Sequence, residues 1–106
     1  MKVSIIGGGA WGTALAMAAK RAGSDVCIQA REAEVVEAIN TNHENIIYLP
    51  GHSLDPSIRA MSDPVEAIND AHIVLLVTPA QHLRALMTTL KDALTSKHAI
   101  VICSKG

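Results

Sequence analysis

The chain alternates between short apolar runs and longer segments in which apolar residues are spaced as in helices. Five mainly apolar runs predict buried strands, because they are rich in β-branched residues and most end at turn-forming residues. These runs span residues 2–6, 26–30, 58–61, 73–77 and 99–103. Continuous apolar strands of this kind are typical of parallel sheets covered on both faces.

The four segments between these strands predict helices, three from their apolar spacing and one from its start signal. They lie at residues 11–22, at 32–40, from 63 onward and at 83–94. Gly23 is the expected stop of the first helix. Asp63 is the expected cap of the third, with Pro64 in its first turn. Thr78 and Pro79 are the expected cap and first residue of the fourth.

Strands and helices therefore alternate along the whole chain. This order predicts an α/β fold with a doubly wound parallel sheet, since crossovers between parallel strands are right-handed. The expected strand order is 3-2-1-4-5, as in nucleotide-binding folds of this class. The polar stretch from Thr41 to Asp55 has no clear period and predicts a long loop, of the kind that is often functional.

Composition and charge exclude several classes of protein. Hydrophobic residues make up 49% of the 106 positions and charged residues 18%, which is typical of a folded domain. The net charge of −1 gives no field to attract nucleic acid or a membrane surface. No apolar run is long enough to span a membrane, no signal peptide is visible, and Cys27 and Cys103 are expected to be reduced. The sequence predicts a cytoplasmic protein.

The sequence from Gly7 to Gly12 matches the pattern G-x-G-x-x-G between a predicted strand and a predicted helix. In this context Gly7 permits a tight turn, Gly9 lets the backbone approach a pyrophosphate, and Gly12 lets the helix lie close to the strand. An anion would rest on the N–H groups at the positive end of the helix. The motif predicts a dinucleotide site, with a purely structural turn as the alternative.

Arg31 stands at the end of the second strand, where NAD enzymes usually carry an acidic residue for the ribose hydroxyls. A guanidinium there suits a 2′-phosphate, which predicts that NADP is preferred and NAD is accepted. Glu32 follows, in the expected first turn of the second helix, and offers a weaker contact for NAD. The alternative is a solvated arginine at the start of a helix.

Other candidate site residues lie in turns. Trp11 is either core filler or a wall of the nucleotide pocket, and we favour the wall. Tyr48 is either a surface anchor for its loop or a second wall. Pro79 follows the fourth strand beside the switch point of the sheet. Lys105 follows the fifth strand, where a cation would bind phosphate or polarise a carbonyl unless it is a solvated terminal residue.

A metal site is not predicted. The five histidines show no pair at helical spacing, and the sequence contains no Cys-x-x-Cys. It also lacks the Gly-x-Ser-x-Gly turn typical of hydrolases.

Several strings together resemble the N-terminal part of bacterial NAD(P)-dependent glycerol-3-phosphate dehydrogenases. They are Ile5 to Ala16, Arg31, Asn45 to Gly51, Val77 to Arg84 and Ser104 to Gly106, so the resemblance covers nearly the whole chain. It implies reversible hydride transfer between sn-glycerol 3-phosphate and dihydroxyacetone phosphate, in support of phospholipid synthesis.

The resemblance also implies roles for individual residues. Ala10, Trp11, Arg31 and Tyr48 fall at positions that contact the cofactor, and Lys105 falls at one that contacts both cofactor and substrate. Ala10 departs from the family, in which serine is common at this position, so a hydroxyl contact would be lost.

The family carries a second, helical domain that supplies the general acid/base lysine and most of the grip on the substrate phosphate. We therefore expect residues 1–106 to form an incomplete dinucleotide-binding domain, with the catalytic lysine beyond Gly106 and no activity of its own. Truncation would leave the fifth strand as an open apolar edge, which predicts self-association as a homodimer.

Two other classes are compatible with the same turn. One is an NADP-linked hydroxyacid dehydrogenase of another family. The other is a stand-alone nucleotide-sensing regulatory domain, against which Arg31 argues, because such modules usually carry an acid after the second strand.

Overall fold

The computed structural model describes residues 1–103, so the predicted site residue Lys105 and its neighbours Ser104 and Gly106 lie outside the described residues. The strands are β1 (Lys2–Ile6), β2 (Asp25–Gln29), β3 (Arg59–Met61), β4 (Ile73–Leu76) and β5 (Ala99–Ile102). The helices are α1 (Ala10–Arg21), α2 (Ala33–Asn42), α3 (Pro64–Ile68) and α4 (Ala80–Leu90). All strand pairs are parallel, in the order β3-β2-β1-β4-β5, which confirms the predicted topology.

The core consists of two apolar layers, one on each face of the sheet. Successive residues of a strand point to opposite faces, so neighbours such as Ile5 and Ile6 belong to different layers. The first layer is completed by residues of α1 and α2, and the second by residues of α3 and α4. Burial on both faces explains why the central strands carry apolar residues at nearly every position.

The last strand is not buried as its apolar run predicts, but it is exposed as expected of an open apolar edge. Ile100, Val101 and Ile102 are 41%, 46% and 59% exposed. Within residues 1–103, β5 lies at the end of the sheet and pairs with β4 alone. An apolar run shows that a strand forms but does not show whether a second strand flanks it. Self-association through this edge stays a prediction.

Two helix starts can be compared with their predictions. Asp63 caps α3 as expected, since its side chain accepts a hydrogen bond of 3.0 Å from the N–H of Val65. Thr78 is not the cap of α4. The cap is Pro79 in extended conformation, and the helix begins one residue later than predicted. The hydroxyl of Thr78 instead donates to the carbonyl of Ile6 at 3.3 Å, because a residue before proline is held extended and continues beside β1.

The helix ends also differ slightly from the apolar spacing. α2 runs two residues past the expected Asn40, to Asn42, and stops at His43 in the left-handed region with φ 55°. α4 ends at Leu90, and the N–H of Leu94 bonds back to the carbonyl of Leu90 at 3.0 Å in the following turn. The helix therefore ends before Leu94, the last residue of the predicted apolar stripe.

The long loop after α2 is closed at its base. The N–H of Leu54 donates to the carbonyl of His43 at 2.7 Å, and Leu54 is buried in the first core layer. Inside this closure, Asn45 and Leu49 form an isolated antiparallel bridge. The loop that the sequence leaves without a period is therefore a compact, closed segment.

Candidate functional site

A cleft of about 600 Å³ opens at the carboxyl ends of the strands. It lies where β1 and β4 adjoin and the direction of winding reverses, the place at which open α/β sheets bind ligands. All predicted cofactor-binding residues within 1–103 line it. The full lining is residues 7–12, Gln29, Arg31, Glu32, Tyr48, Ser62, Pro64, residues 77–79, His82, Ala85, Leu86 and Thr89.

Two glycines of the turn are required by the chain's own packing. Gly7 has φ +127°, and a Cβ there would lie 3.1 Å from the carbonyl carbon of Val77. A Cβ on Gly12 would lie 2.0 Å from the carbonyl oxygen of Gly7, far inside any real contact distance. Gly12 therefore allows α1 to start directly against the end of β1, as the motif predicts.

Gly9 is different, because nothing lies within 4 Å of a Cβ built on it. Its φ of −76° is also open to any residue. The protein's own packing therefore does not require glycine at this position, and the space beside its backbone faces the cleft. This free space fits a ligand that comes close to the main chain, as a dinucleotide pyrophosphate does.

The amino end of α1 supplies the charge that such a ligand needs. α1 begins at Ala10, and Ala10, Trp11 and Gly12 all line the cleft. A helix leaves its first N–H groups without intrahelical acceptors and is electropositive at this end. The turn and helix start together suit a diphosphate better than any neutral group.

The carboxyl end of β2 brings two opposite charges to the cleft. Arg31 is exposed and lines it, and Glu32 is the N-cap residue of α2 rather than part of its first turn, as the spacing had predicted. The carboxylate of Glu32 accepts a hydrogen bond from the hydroxyl of Tyr48. The loop residue Tyr48 is thereby fastened beside Arg31.

This hydrogen bond changes both acidities. The hydroxyl of Tyr48 lowers the pKa of the Glu32 carboxyl below its usual value, and the carboxylate raises the pKa of Tyr48 above its own. Both shifts favour the same state, a neutral phenol that donates to a carboxylate. The hydrogen bond contributes its full stability at pH values between the ordinary pKa of Glu32 and the ordinary pKa of Tyr48. The contribution is lost as the pH falls through the lowered pKa or rises through the raised one.

The pair gives a direct prediction for Tyr48→Phe. Removal of the hydroxyl takes away the main cause of the shift, so the pKa of Glu32 should rise toward its ordinary value near 4.5. Carboxyl chemical shifts measured by NMR during an acid titration would show this change. Asp55 is the control, since its pKa is lowered by Ser57 and should not respond. An unchanged titration of Glu32 would contradict the bond.

Both aromatic residues lie on the cleft. Trp11 is 51% exposed, so it is not core filler, and Tyr48 is 42% exposed. At the opposite wall, Pro79 and the preceding Thr78 follow β4. The structure thus brings together residues from three separate parts of the chain.

Sequence reasoning missed several lining residues. Gln29, Ser62 and Val77 end or directly follow strands, so a search of every strand end in the predicted sheet would have found them. Gly8 was also overlooked, although a Cβ there would lie 2.5 Å from the Cβ of Ala30. His82 lies on the first turn of α4 and carried no signal of its own.

Residues 1–103 contain no group of three or more His, Cys, Asp or Glu side chains placed to hold a metal ion. Over the same range, none of the helices has the length and apolar content that crossing a membrane requires.

A parallel sheet in this order, with a glycine-rich turn and a cleft at the switch point, defines a Rossmann-like α/β domain. Residues 2–106 match the model of the family described as NAD-dependent glycerol-3-phosphate dehydrogenase N-terminus. The chain belongs to this family, which confirms the resemblance seen in the sequence.

Curated relatives carry the same name. The chain is 50% identical over 105 residues to glycerol-3-phosphate dehydrogenase (NAD(P)+) of Caulobacter vibrioides, covering 99% of this chain and 31% of the relative. It is 55% identical over 105 residues to that of Paramagnetospirillum magneticum, covering 99% and 38%. The chain therefore spans about a third of the length of these relatives.

Solved structures agree with the fold. The crystal structure of glycerol-3-phosphate dehydrogenase from Coxiella burnetii matches with a TM-score of 0.91 and 28% identity, over 99% of this chain and 32% of that one. A ketopantoate reductase from Ralstonia eutropha matches with a TM-score of 0.76 and 24% identity, over 100% of this chain and 35% of that one. The second likeness shows the fold alone and adds nothing in favour of another dehydrogenase family.

Proposed function

We propose that this chain binds NADP or NAD as the N-terminal part of an oxidoreductase that interconverts sn-glycerol 3-phosphate and dihydroxyacetone phosphate. The observation that carries the proposal is the cleft at the switch point of the sheet, which is lined by the glycine-rich turn and the amino end of α1. The open space beside the backbone of Gly9 leaves room there for a diphosphate to come close to the main chain. The proposed reaction is inferred from the family to which the chain belongs. It would provide glycerol phosphate for phospholipid synthesis.

The proposed contacts follow from the cleft. Residues 7–12 and the first turn of α1 would hold the diphosphate, with Ala10 contributing its backbone. Trp11 and Tyr48 would flank the cofactor, and Pro79 would bound the side formed by β4. When bound, the nicotinamide group supplies or accepts a hydride. Lys105 is proposed to contact both cofactor and phosphate-ester substrate.

We further propose that NADP is preferred. Arg31 lines the cleft at the end of β2, where a guanidinium can bind a 2′-phosphate bidentately. The neighbouring carboxylate of Glu32 would repel that phosphate if it turned toward it, but its hydrogen bond to Tyr48 restrains it. NAD would bind without the contact to Arg31. A cytoplasmic location and a homodimer stay predictions.

Calorimetric titration of the chain with NADPH and with NADH tests cofactor binding. We expect saturable binding of both, accompanied by a change in the fluorescence of Trp11, which is the single tryptophan. A Trp11→Phe variant is the control, because it should lose the optical signal while a heat of binding persists. Absence of a binding heat with either cofactor for a folded chain would overturn the proposal.

A further inference from the structure

Asn45 is a buried polar residue that does not line the cleft. Its side chain is 0% exposed, although it belongs to the loop after α2 and its neighbours Ile46, Ile47 and Tyr48 are exposed. A buried amide must satisfy its donors and acceptor within the protein, because each unpaired group would carry a desolvation penalty. The partners of Asn45 therefore show what the residue holds in place.

Both donor hydrogens of Asn45 are used on the glycine-rich turn. Its Nδ2 donates to the carbonyl oxygen of Gly8 at 2.8 Å and to the hydroxyl Oγ1 of Thr13 at 2.8 Å. That hydroxyl in turn donates to the carbonyl oxygen of Gly9 at 2.8 Å. Asn45 thus holds one carbonyl of the turn directly and the next one through Thr13.

These bonds help to fix where the turn directs its N–H groups, together with the first bond of α1, in which the carbonyl of Gly9 accepts from the N–H of Thr13 at 3.0 Å. A trans peptide unit holds its C=O and N–H in opposite directions, and the described chain has no cis peptide bond. With the carbonyls of Gly8 and Gly9 fastened toward Asn45 and Thr13, the N–H groups of Gly9 and Ala10 point the opposite way. Gly9 and Ala10 both line the cleft, so these are donors that an anion in the cleft would meet.

The acceptor of Asn45 reaches the other end of the site. Its Oδ1 accepts from the N–H of Tyr48 at 3.1 Å, and the hydroxyl of Tyr48 donates to Glu32 beside Arg31. One amide therefore connects the turn after β1 with the loop that closes over the end of β2.

We propose that Asn45 is a positioning residue that aims the backbone donors of the turn at the cofactor diphosphate. The inference rests on the proposed cofactor binding. It assigns to Asn45 an effect on affinity for the diphosphate, which NADPH and NADH share, and not on the choice between them.

The test compares Asn45→Ala with Asn40→Ala by calorimetric titration of the chain. Asn40 is the control, because its amide makes two hydrogen bonds, both to the backbone of Ala60, at 2.8 and 2.9 Å, and links α2 to β3 away from the cleft. Unlike Asn45, it is exposed. We expect Asn45→Ala to weaken NADPH and NADH by the same factor, at least about tenfold, since two aimed donors lose their support. Asn40→Ala should leave both dissociation constants within about twofold of wild type.

Thr13→Val provides a second variant if Asn45→Ala does not fold, because it removes the hydroxyl relay and keeps the side-chain shape. It should weaken both cofactors in parallel. In a folded variant, the ¹⁵N-¹H resonances of Gly9 and Ala10 should also shift without any cofactor present.

If the wild type binds cofactor and a folded Asn45→Ala or Thr13→Val variant binds it equally well, the inference is wrong and the proposed function still stands. Failure of wild type to bind either cofactor would overturn both. Selective loss of NADPH alone in a folded Thr13→Val variant, which keeps the bond between Asn45 and Tyr48, would also overturn it, because both cofactors carry the same diphosphate.

Discussion

Gly12→Ala should strongly destabilise the native structure of the chain. The new Cβ would lie 2.0 Å from the carbonyl oxygen of Gly7 and 3.1 Å from its carbonyl carbon. Both are backbone atoms at the end of the central strand, so neither can swing aside as a flexible side chain would. Relief requires that α1 move off β1, which would open the first core layer at Ile5 and Ala16.

The expected cost is at least about 3 kcal/mol of unfolding free energy, at the upper end of what overpacking costs in a core. For a domain of this size that corresponds to a fall in Tm of roughly 15 °C. Thermal unfolding followed by circular dichroism would measure it. Such a loss removes a large share of the few kcal/mol by which ordinary domains are stable.

Gly9→Ala is the matched control, from the same turn and with the same change of one methyl. Since nothing lies within 4 Å of its Cβ, its stability should fall by no more than about 1 kcal/mol, the scale of a poorer helix cap. Its cofactor affinity should fall instead. Equal thermal losses in Gly12→Ala and Gly9→Ala would show that the close approach at Gly12 is not the cause.

Arg31→Ala should weaken NADPH selectively. The guanidinium is exposed at the end of β2 on the cleft, and a charge-assisted pair with a 2′-phosphate contributes about 1.5–3 kcal/mol. We therefore expect the dissociation constant for NADPH to rise roughly 10- to 100-fold, while that for NADH changes by less than about threefold. Parallel calorimetric titrations with both cofactors measure the difference.

Arg59→Ala controls for the loss of one positive charge. Arg59 is exposed and begins β3, at the opposite end of the strand from the cleft. It should change neither affinity appreciably, since Arg59 does not line the cleft and salt screens the interactions of exposed charges. If Arg31→Ala weakened NADPH and NADH equally, the role in 2′-phosphate binding would be wrong.

The topology was predictable because each central strand carries a mainly apolar run. Burial on both faces leaves few polar positions in these strands, such as Ser4 and Gln29, and helices that are recognisable from their spacing or their start signal separate the runs. The apolar run of β5 did not show that this strand is exposed, since the residues Ile100 to Ile102 carry no mark that distinguishes a sheet edge from a sheet centre.

The site was predictable where it depends on backbone geometry. Gly7 and Gly12 are tied to the turn by contacts that any strand-turn-helix unit of this type must make. Asn45 could not be found in the same way, because its partner Gly8 is 37 residues away and presents only a carbonyl oxygen. Every residue has a backbone carbonyl, so the sequence does not show which carbonyl a distant side chain will bind. The bond between Tyr48 and Glu32 was hidden for a related reason, since it depends on how the closed loop folds.

That loop has a consequence for how length can vary along the chain. One hydrogen bond between Leu54 and His43 joins its two ends, so added or deleted residues need not be transmitted to β3. The half that begins at Asn45 is fixed by the hydrogen bonds of Asn45 and by Tyr48 at the cleft. The N–H of Gly51 donates to the carboxylate of Glu44 at 3.0 Å, whereas His52 and Ser53 are exposed and lie outside the lining. The loop is thus divided into a section that these hydrogen bonds hold at a fixed length and a short exposed section, His52 and Ser53, whose length they do not set. Natural insertions, and peptide tags introduced by design, belong in the second section.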